Sequence, residues 1–76
     1  MEIKECIENF AAQFDETDAS EFTPSTEFKS LDEWSSLIAL SIIAMIDEEY
    51  GVTLKGNDIT SANTIEDLFN TTKAKA

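Results

Sequence analysis

The first segment of the chain carries apolar residues at a regular helical spacing. Between Ile3 and Phe14 the apolar positions recur every three or four residues, as they do along one face of a helix. They are Ile3, Cys6, Ile7, Phe10, Ala11 and Phe14. The pattern predicts a first helix from Ile3 to Phe14, with Cys6 packed in the core as a small apolar side chain.

A second and stronger helical pattern runs from Ser36 to Tyr50. Its apolar residues cover a broad arc, with Leu37, Leu40 and Ala44 near one face and Ile42, Ile43 and Ile46 widening it. Ser35 suits the N-cap position, because its hydroxyl can accept a hydrogen bond from a free amide of the first turn. Gly51 suits the left-handed position that ends a helix. We expect a central helix that is packed by neighbours on more than one side.

The stretch between these two segments, about residues 15–32, shows no sustained period and is rich in Asp, Glu, Ser and Thr. It is predicted to be a long loop. A loop of this length in a compact domain has to be pinned to the core, and Phe22, Phe28 and Leu31 are the candidates. The acidic run Asp15–Asp18 lacks the glycine and the terminal glutamate of a calcium-binding loop, so we interpret it as a solvated charge cluster.

The last third of the chain contains two further helix signals. Gly56–Thr60 predicts one short helical turn with Asn57 as its cap. Thr64 and Asp67 have the spacing of a capping box, which would begin a final helix. The inward-facing residues of that helix would be Ile65, Leu68 and Phe69.

The end of the chain, about residues 71–76, has no large apolar residue and is predicted to be a frayed tail. Every apolar segment is explained without strands. The sequence therefore predicts a single all-α domain over residues 1–76, a small bundle of three main helices plus one short helix.

The charge balance is strongly acidic. Sixteen Asp and Glu residues stand against five Lys, with no His, for a formal net charge of −11. Nucleic acids and anionic membrane surfaces both attract cationic proteins, so neither is an expected partner. An acidic surface instead favours a basic patch on another protein.

The residues that are missing also narrow the chemistry. Without histidine the chain has no near-neutral base of the usual kind and no histidine metal ligand, so we expect neither an enzyme nor a metal site. The lone Cys6 cannot form an internal disulfide, which fits a reducing compartment. Residues 1–5 do not resemble a signal peptide, and no stretch has the length of a membrane span. We expect a cytoplasmic monomer that is not inserted in a membrane.

The segment Leu31–Ile38, Leu-Asp-Glu-Trp-Ser-Ser-Leu-Ile, resembles the prosthetic-group site of acyl carrier proteins, a family of phosphopantetheine-binding carriers. The resemblance extends from about Phe28 to about Phe69 and includes Tyr50, Thr64 and Ile65. It implies that a phosphopantetheinyl transferase attaches phosphopantetheine from coenzyme A to a serine hydroxyl. Ser36 is the matching residue, because the modified serine of the family directly precedes the apolar residue that begins the helix.

The function implied by the resemblance is that of a carrier, which holds acyl or aminoacyl groups as thioesters for the enzymes of fatty-acid biosynthesis or of one dedicated pathway. The partners would be the transferase and the enzymes that load and use the acyl group, through basic or apolar docking patches. The implied contact residues are Trp34, Leu37, Ile38, Asp47 and Glu48. Trp34 can equally be interpreted as a cover over one end of the core.

Two departures from the family pattern bear on this function. Ser35 stands where the family usually has an aspartate that helps to present the site to the transferase, and Asp32 and Glu33 are candidates to replace its carboxylate. The early turns of the second helix carry Ile38 where the family has acidic residues, which indicates different partners. An alternative function is an unmodified acidic adaptor that keeps the carrier fold and binds one protein partner.

Members of the family can shelter an acyl chain in a cleft between the second and third helices. The residues of this chain that would line such a cleft are Leu40, Ala44, Ile46, Leu54, Ile59 and Ile65. The other interpretation is that these residues simply fill the core, because protein interiors rarely retain large voids.

Overall fold

The computed structural model describes residues 2–76, so Met1 of the predicted domain lies outside the described residues. Four helices follow one another along the chain: α1 (Ile3–Ala11), α2 (Ser36–Tyr50), α3 (Gly56–Ser61) and α4 (Ile65–Lys75). No strand is present in residues 2–76. The predicted all-α fold, with three longer helices and one short helix, is confirmed.

The core is formed by side chains from every helix and from the loops between them. Its aromatic centre consists of Phe10 on α1 with Phe14, Phe22 and Phe28, and the ring centroids of Phe10 and Phe28 lie 5.3 Å apart. Aliphatic residues complete it, among them Ile42, Ile46, Ile59, Ile65 and Leu68. Close packing of this kind removes apolar area from water and is the main force that holds so small a domain together.

Cys6 is buried on α1 with 1% of its surface exposed, which confirms its predicted place in the core. Desolvation of the thiolate raises the pKa of the Cys6 thiol. A buried thiol with a raised pKa is a poor nucleophile, so Cys6 has a packing role.

Helix α1 is shorter than the spacing of apolar residues predicts. It ends at Ala11, and the amides of Gln13 and Phe14 then donate to the carbonyl oxygens of Phe10 and Ala11, three residues back. Phe14 nevertheless remains buried. A tighter final turn continues the same face for three residues, which is why periodicity alone placed the boundary too late.

The long loop between α1 and α2 contains two short 3₁₀ turns, Ala19–Glu21 and Phe28–Ser30. Phe22 and Phe28 are buried, and Leu31 is partly buried against the core, so the three predicted anchors do pin this loop. The loop stays compact because each of its aromatic side chains contributes to the core.

The short helix α3 is capped differently from the prediction. Asn57 lies inside the helix rather than at its cap, and Lys55 occupies the capping position. The side chain of Asp58 accepts a hydrogen bond of 2.8 Å from the Lys55 amide. The start of α3 is therefore closed by a carboxylate from its first turn.

The predicted frayed tail is wrong, because α4 continues to Lys75. Thr72 is fully buried, and its hydroxyl donates to the carbonyl oxygen of Leu68 at 2.9 Å. Lys75 also forms an ion pair of 3.3 Å with Asp58. The sequence signal failed here because a threonine counts as polar, although a back-bonded threonine can be buried without an unsatisfied hydroxyl.

Candidate functional site

The boundaries of α2 follow the sequence prediction closely. Ser35 has extended backbone geometry, and its hydroxyl oxygen accepts a hydrogen bond of 3.3 Å from the amide of Ile38. At the other end, Gly51 adopts a left-handed conformation with φ of 66°, which an L side chain would strain. Both predicted helix signals are confirmed, and they fix Ser36 as the first residue of the helix.

Ser36 is exposed at the positive end of α2. The amides of Ser36 and Leu37 donate to no acceptor among residues 2–76, whereas the next two amides are bonded to the Ser35 hydroxyl and carbonyl oxygens. Open amides together with the helix dipole stabilise an anion at such a place. The surroundings of Ser36 therefore fit a hydroxyl that carries a phosphodiester.

The segment that leads into α2 is held by the side chain of Glu33. Its Oε2 accepts from the amide of Asp15 at 2.7 Å, and its Oε1 accepts from the amides of Glu16 and Thr17 at 2.9 Å each. Oε1 also accepts from the Thr17 hydroxyl at 2.8 Å. We call this set of four hydrogen bonds the Glu33 clasp.

The electrostatics of the Glu33 clasp favour the ionised carboxylate. Partial desolvation acts to raise the pKa of the Glu33 carboxyl, but the hydrogen bonds from the Thr17 hydroxyl and the three amides outweigh it, and the pKa lies below its usual value. Donors that converge on a charged acceptor stabilise the charged form. The Glu33 carboxylate is thus engaged by the loop, whereas Asp32, the other candidate to replace the missing aspartate, remains exposed.

Trp34 is partly buried and packs on the aromatic centre of the core. Its ring lies 5.1 Å from Phe28 in an edge arrangement and 6.4 Å from Phe14 in a stacked one, measured between centroids. These contacts support the interpretation of Trp34 as a cover over one end of the core. Its role in partner binding stays a prediction.

Helix α2 has one buried apolar face and one exposed face, and the first half of the exposed face carries apolar residues. Ile42, Met45 and Ile46 are buried in the core. Leu37 and Leu40 point to solvent, with 73% and 62% of their surfaces exposed, and Ala44 is exposed one turn further on. We call Leu37, Leu40 and Ala44 the α2 apolar stripe, because their spacing of three and four residues places them in a row along the helix.

The predicted partner-contact residues occupy different positions. Leu37 lies in the α2 apolar stripe beside Ser36, and Asp47 and Glu48 are exposed near the other end of the helix. Ile38 is instead partly buried and packs against the core. The structure thus offers Leu37 rather than Ile38 as the freely accessible apolar contact next to the serine.

The structure does not bring the six predicted cleft residues together. Ile46, Leu54, Ile59 and Ile65 are buried in the core, but Leu40 and Ala44 belong to the exposed face of α2. The apolar residues of α2 extend almost around the helix, and such a broad arc does not determine which side faces the core. A single acyl cleft with these six residues is therefore not the arrangement of this chain.

Sequence reasoning missed two features of the site. The sequence identifies Glu33 only as a nearby carboxylate, because its four donors come from residues 16–18 positions away in the chain. It also predicts an inward position for Leu40, although apolar residues on both sides of a helix indicate that one apolar stripe is exposed. Hydrogen bonds between distant residues, such as those of Glu33, have no local sequence signal.

Neither a metal-binding cluster nor a membrane-spanning helix is found within residues 2–76. No group of three or more His, Cys, Asp or Glu residues in this part of the chain could hold a metal ion. None of the helices in these residues has both the length and the apolar character to cross a membrane.

Comparison with known proteins places the whole arrangement in one family. The family model described as the phosphopantetheine attachment site matches residues 6–71, which include α2, α3 and most of α1 and α4. No curated protein and no solved structure shows significant similarity to the chain. The match extends well beyond the serine and covers most of the fold.

Proposed function

Because the chain belongs to the phosphopantetheine attachment-site family, we propose that it carries acyl or aminoacyl groups on a phosphopantetheine arm attached to Ser36. The arm itself follows from the family, since this domain is the site of covalent phosphopantetheine attachment. The choice of Ser36 and the nature of the cargo are the parts that we infer.

We choose Ser36 over Ser35 because the two neighbouring hydroxyls differ in their hydrogen bonding. The Ser35 hydroxyl is engaged as the N-cap of α2 and accepts a hydrogen bond from Ile38. Ser36 is exposed and lies next to two amides that have no acceptor in residues 2–76. Both serines are exposed, but only the Ser36 hydroxyl is outside the helix cap and next to donors that can hold the resulting phosphate.

The chain contributes presentation rather than catalysis. A serine hydroxyl needs a base to become a nucleophile, and the chain has no histidine to serve as one, so the transferase must accept the Ser36 proton. The Ser36 oxygen then bonds to the phosphorus that carries pantetheine, the diphosphate bond of coenzyme A breaks, and adenosine 3′,5′-bisphosphate leaves. Once attached, phosphopantetheine supplies a terminal thiol that holds the cargo as a thioester. The positive end of α2 then stabilises the phosphodiester where it joins the protein.

The partner enzymes would dock on the exposed face of α2. The α2 apolar stripe provides an apolar contact beside Ser36, and Asp47 and Glu48 provide negative charge toward the other end. A complementary partner surface has an apolar patch near its active-site entrance and basic residues further away. The net charge of −11 would attract such a basic surface before contact.

The test is the intact mass of the protein after incubation with coenzyme A and an active phosphopantetheinyl transferase. We expect the mass to increase by one phosphopantetheine group in the parent chain and by none in Ser36→Ala. A parent chain that stays unmodified with several transferases of different specificity would contradict the proposal.

One observation favours a second function, that of an unmodified acidic adaptor with the carrier fold. The family aspartate is replaced by Ser35, and the Glu33 carboxylate is held by the loop. An adaptor would bind its partner through the α2 apolar stripe without any arm. This function requires that Ser36→Ala leaves both partner binding and biological activity unchanged, and loss of activity with retained binding would exclude it.

A further inference from the structure

Glu33 joins two parts of the loop that are far apart in sequence. Its two carboxylate oxygens accept from three consecutive backbone amides, those of Asp15, Glu16 and Thr17, and from the Thr17 hydroxyl, at 2.7 to 2.9 Å. Successive amides that converge on one anion form a compact binding concavity. Here the anion is a side chain of the same protein, so the concavity becomes an internal connection.

A second contact runs parallel to the Glu33 clasp. The ring of Trp34, the next residue, stacks on Phe14, which directly precedes the three amides. Trp34 also contacts the fully buried Phe28. Residues 33–34 are therefore fixed to residues 14–17 by charge-assisted hydrogen bonds on one side and by aromatic packing on the other.

These contacts end two residues before the attachment serine. The amide of Trp34 donates to the Leu31 carbonyl, and the next residue, Ser35, is the N-cap of α2. The orientation of the Ser36 side chain is thus set by segment 33–35, which these contacts hold in place. Without the Glu33 clasp, only Trp34 and the Ser35 cap would hold this segment.

We propose that Glu33 is a positioning residue for the transfer of phosphopantetheine to Ser36. It acts by holding the segment 33–35 against residues 15–17, so that the Ser36 hydroxyl and the first amides of α2 are presented in one orientation. The inference rests on the function proposed above. It assigns to Glu33 a role that depends on its hydrogen bonds rather than on its charge alone.

Geometry explains why an isosteric amide cannot replace the carboxylate. Both oxygens of Glu33 accept hydrogen bonds, Oε2 from Asp15 and Oε1 from Glu16 and Thr17. The side chain of glutamine has one acceptor oxygen, and its amino group would face a backbone N–H. Glu33→Gln therefore breaks one side of the clasp and weakens the other, because the remaining bonds lose their charge assistance.

The test compares Glu33→Gln with Glu16→Gln in the full chain. Glu16 gives the matched control, since its side chain is exposed and only its backbone amide takes part in the clasp. Both variants lose one negative charge in the same loop. Thr17→Val removes the hydroxyl donor alone, and the double variant with Glu33→Gln shows whether the two residues act through the same contact.

Two measurements distinguish positioning from a general effect on folding. The first is the rate of modification by a transferase with coenzyme A, as kcat and KM, well below the unfolding temperature of each variant. We expect kcat/KM to fall about tenfold in Glu33→Gln through kcat, and by less than about twofold in Glu16→Gln, because a misplaced nucleophile lowers the chemical step. The loss in the double variant with Thr17→Val should be no larger than in Glu33→Gln.

The second measurement needs no transferase. Hydrogen exchange of the backbone amides should become faster in Glu33→Gln at Asp15, Glu16 and Thr17, and also at Ile38, whose bond to Ser35 orders the helix start. Unchanged exchange at Ile38 would overturn the inference even if the parent is modified normally. So would an equal kcat/KM in the parent and Glu33→Gln, or an equal loss in Glu33→Gln and Glu16→Gln. A parent that gains no mass would instead count against the proposed function.

Discussion

Two helices of this domain begin with a hydroxyl cap, yet their first turns are satisfied in opposite ways. At the start of α4 the first amides all donate to protein groups. The acceptors are the Asp67 carboxylate, the Thr64 hydroxyl and the carbonyl oxygens of Pro24 and Thr26. The first turn of α4 also carries two acidic residues that complement the dipole.

The start of α2 has the same kind of cap and little else. The Ser35 hydroxyl binds the Ile38 amide, but the amides of Ser36 and Leu37 have no acceptor in residues 2–76. No acidic residue lies in the first turn of α2, although the chain carries sixteen carboxylates. One helix start is closed by the protein itself, and the other leaves donors free for a group that arrives from outside.

The comparison separates two kinds of helix start that share the same kind of cap. A serine or threonine before an apolar helix is in most cases a cap and nothing more. What distinguishes the start of α2 is the exposed hydroxyl of Ser36 beside the free amides. Substitutions at the two starts should therefore change different quantities.

The largest effect is expected for Ser36→Ala. This variant should lose all modification, while its free energy of unfolding should change by no more than about 0.5 kcal/mol, since alanine favours a helix and Ser35 keeps the cap. Intact mass after incubation with transferase and chemical denaturation check the two parts. A Ser36→Ala chain that still gains one phosphopantetheine group would place the arm elsewhere.

The caps themselves should contribute similar stability at both starts. Thr64→Ala and Ser35→Ala should each lower the free energy of unfolding by about 1 kcal/mol, because each leaves one helix amide without its acceptor. Thr64→Ala should leave the modification rate of Ser36 unchanged, and Ser35→Ala should reduce it while modification continues. Equal modification rates in these two variants would mean that the order of the α2 start does not matter for the transfer.

Ser35→Asp should sharpen the contrast by giving α2 an acidic cap. Aspartate caps a helix as well as serine does, and its charge suits the positive end of the dipole, so stability should be unchanged or slightly higher. With a transferase that acts on carriers bearing the aspartate, modification should become faster than in the parent. A slower reaction with this transferase would show that a carboxylate at residue 35 does not help to present Ser36.

The smallest effect concerns the pH dependence of protein stability, to which the Asp58 carboxylate at the start of α3 contributes. The hydrogen bond from the Lys55 amide, together with Lys75, lowers the pKa of the Asp58 carboxyl. A carboxyl with a lowered folded pKa contributes stability above its unfolded pKa and loses that contribution as the pH falls through the folded value. In Asp58→Asn, the free energy of unfolding should therefore fall less steeply as the pH is lowered into the acidic range. Ser35→Ala should leave this pH dependence unchanged, and chemical denaturation at several pH values measures both.

Much of the fold could be predicted from local patterns. The caps at Ser35 and Thr64 and the glycine at residue 51 each depend on a few neighbouring residues, and the structure confirms all three. The end of α1 and the extent of α4 could not be placed, because a tight final turn and the buried Thr72 have no distinct hydrophobic signal. A boundary that is marked by a capping side chain or a glycine can be predicted locally, whereas one that depends on packing cannot.

The site was only partly predictable for a related reason. The position of Ser36 followed from the motif, but the inward direction of α2 did not, because Leu40 and Ile42 are both apolar and lie on opposite faces of the helix. The Glu33 clasp depends on contacts between loop segments that only the folded chain brings together. Tertiary packing decided both, and neither can be read from a short window of sequence.

The central claim is that the open start of α2 is where the arm is attached, at Ser36. The most direct test is fragmentation mass spectrometry of the modified parent chain, which assigns the phosphopantetheine group to one residue. We predict that the group is found on Ser36, with Ser35 and the threonine at the start of α4 unmodified. Attachment at Ser35, the residue that caps the helix, would contradict the account.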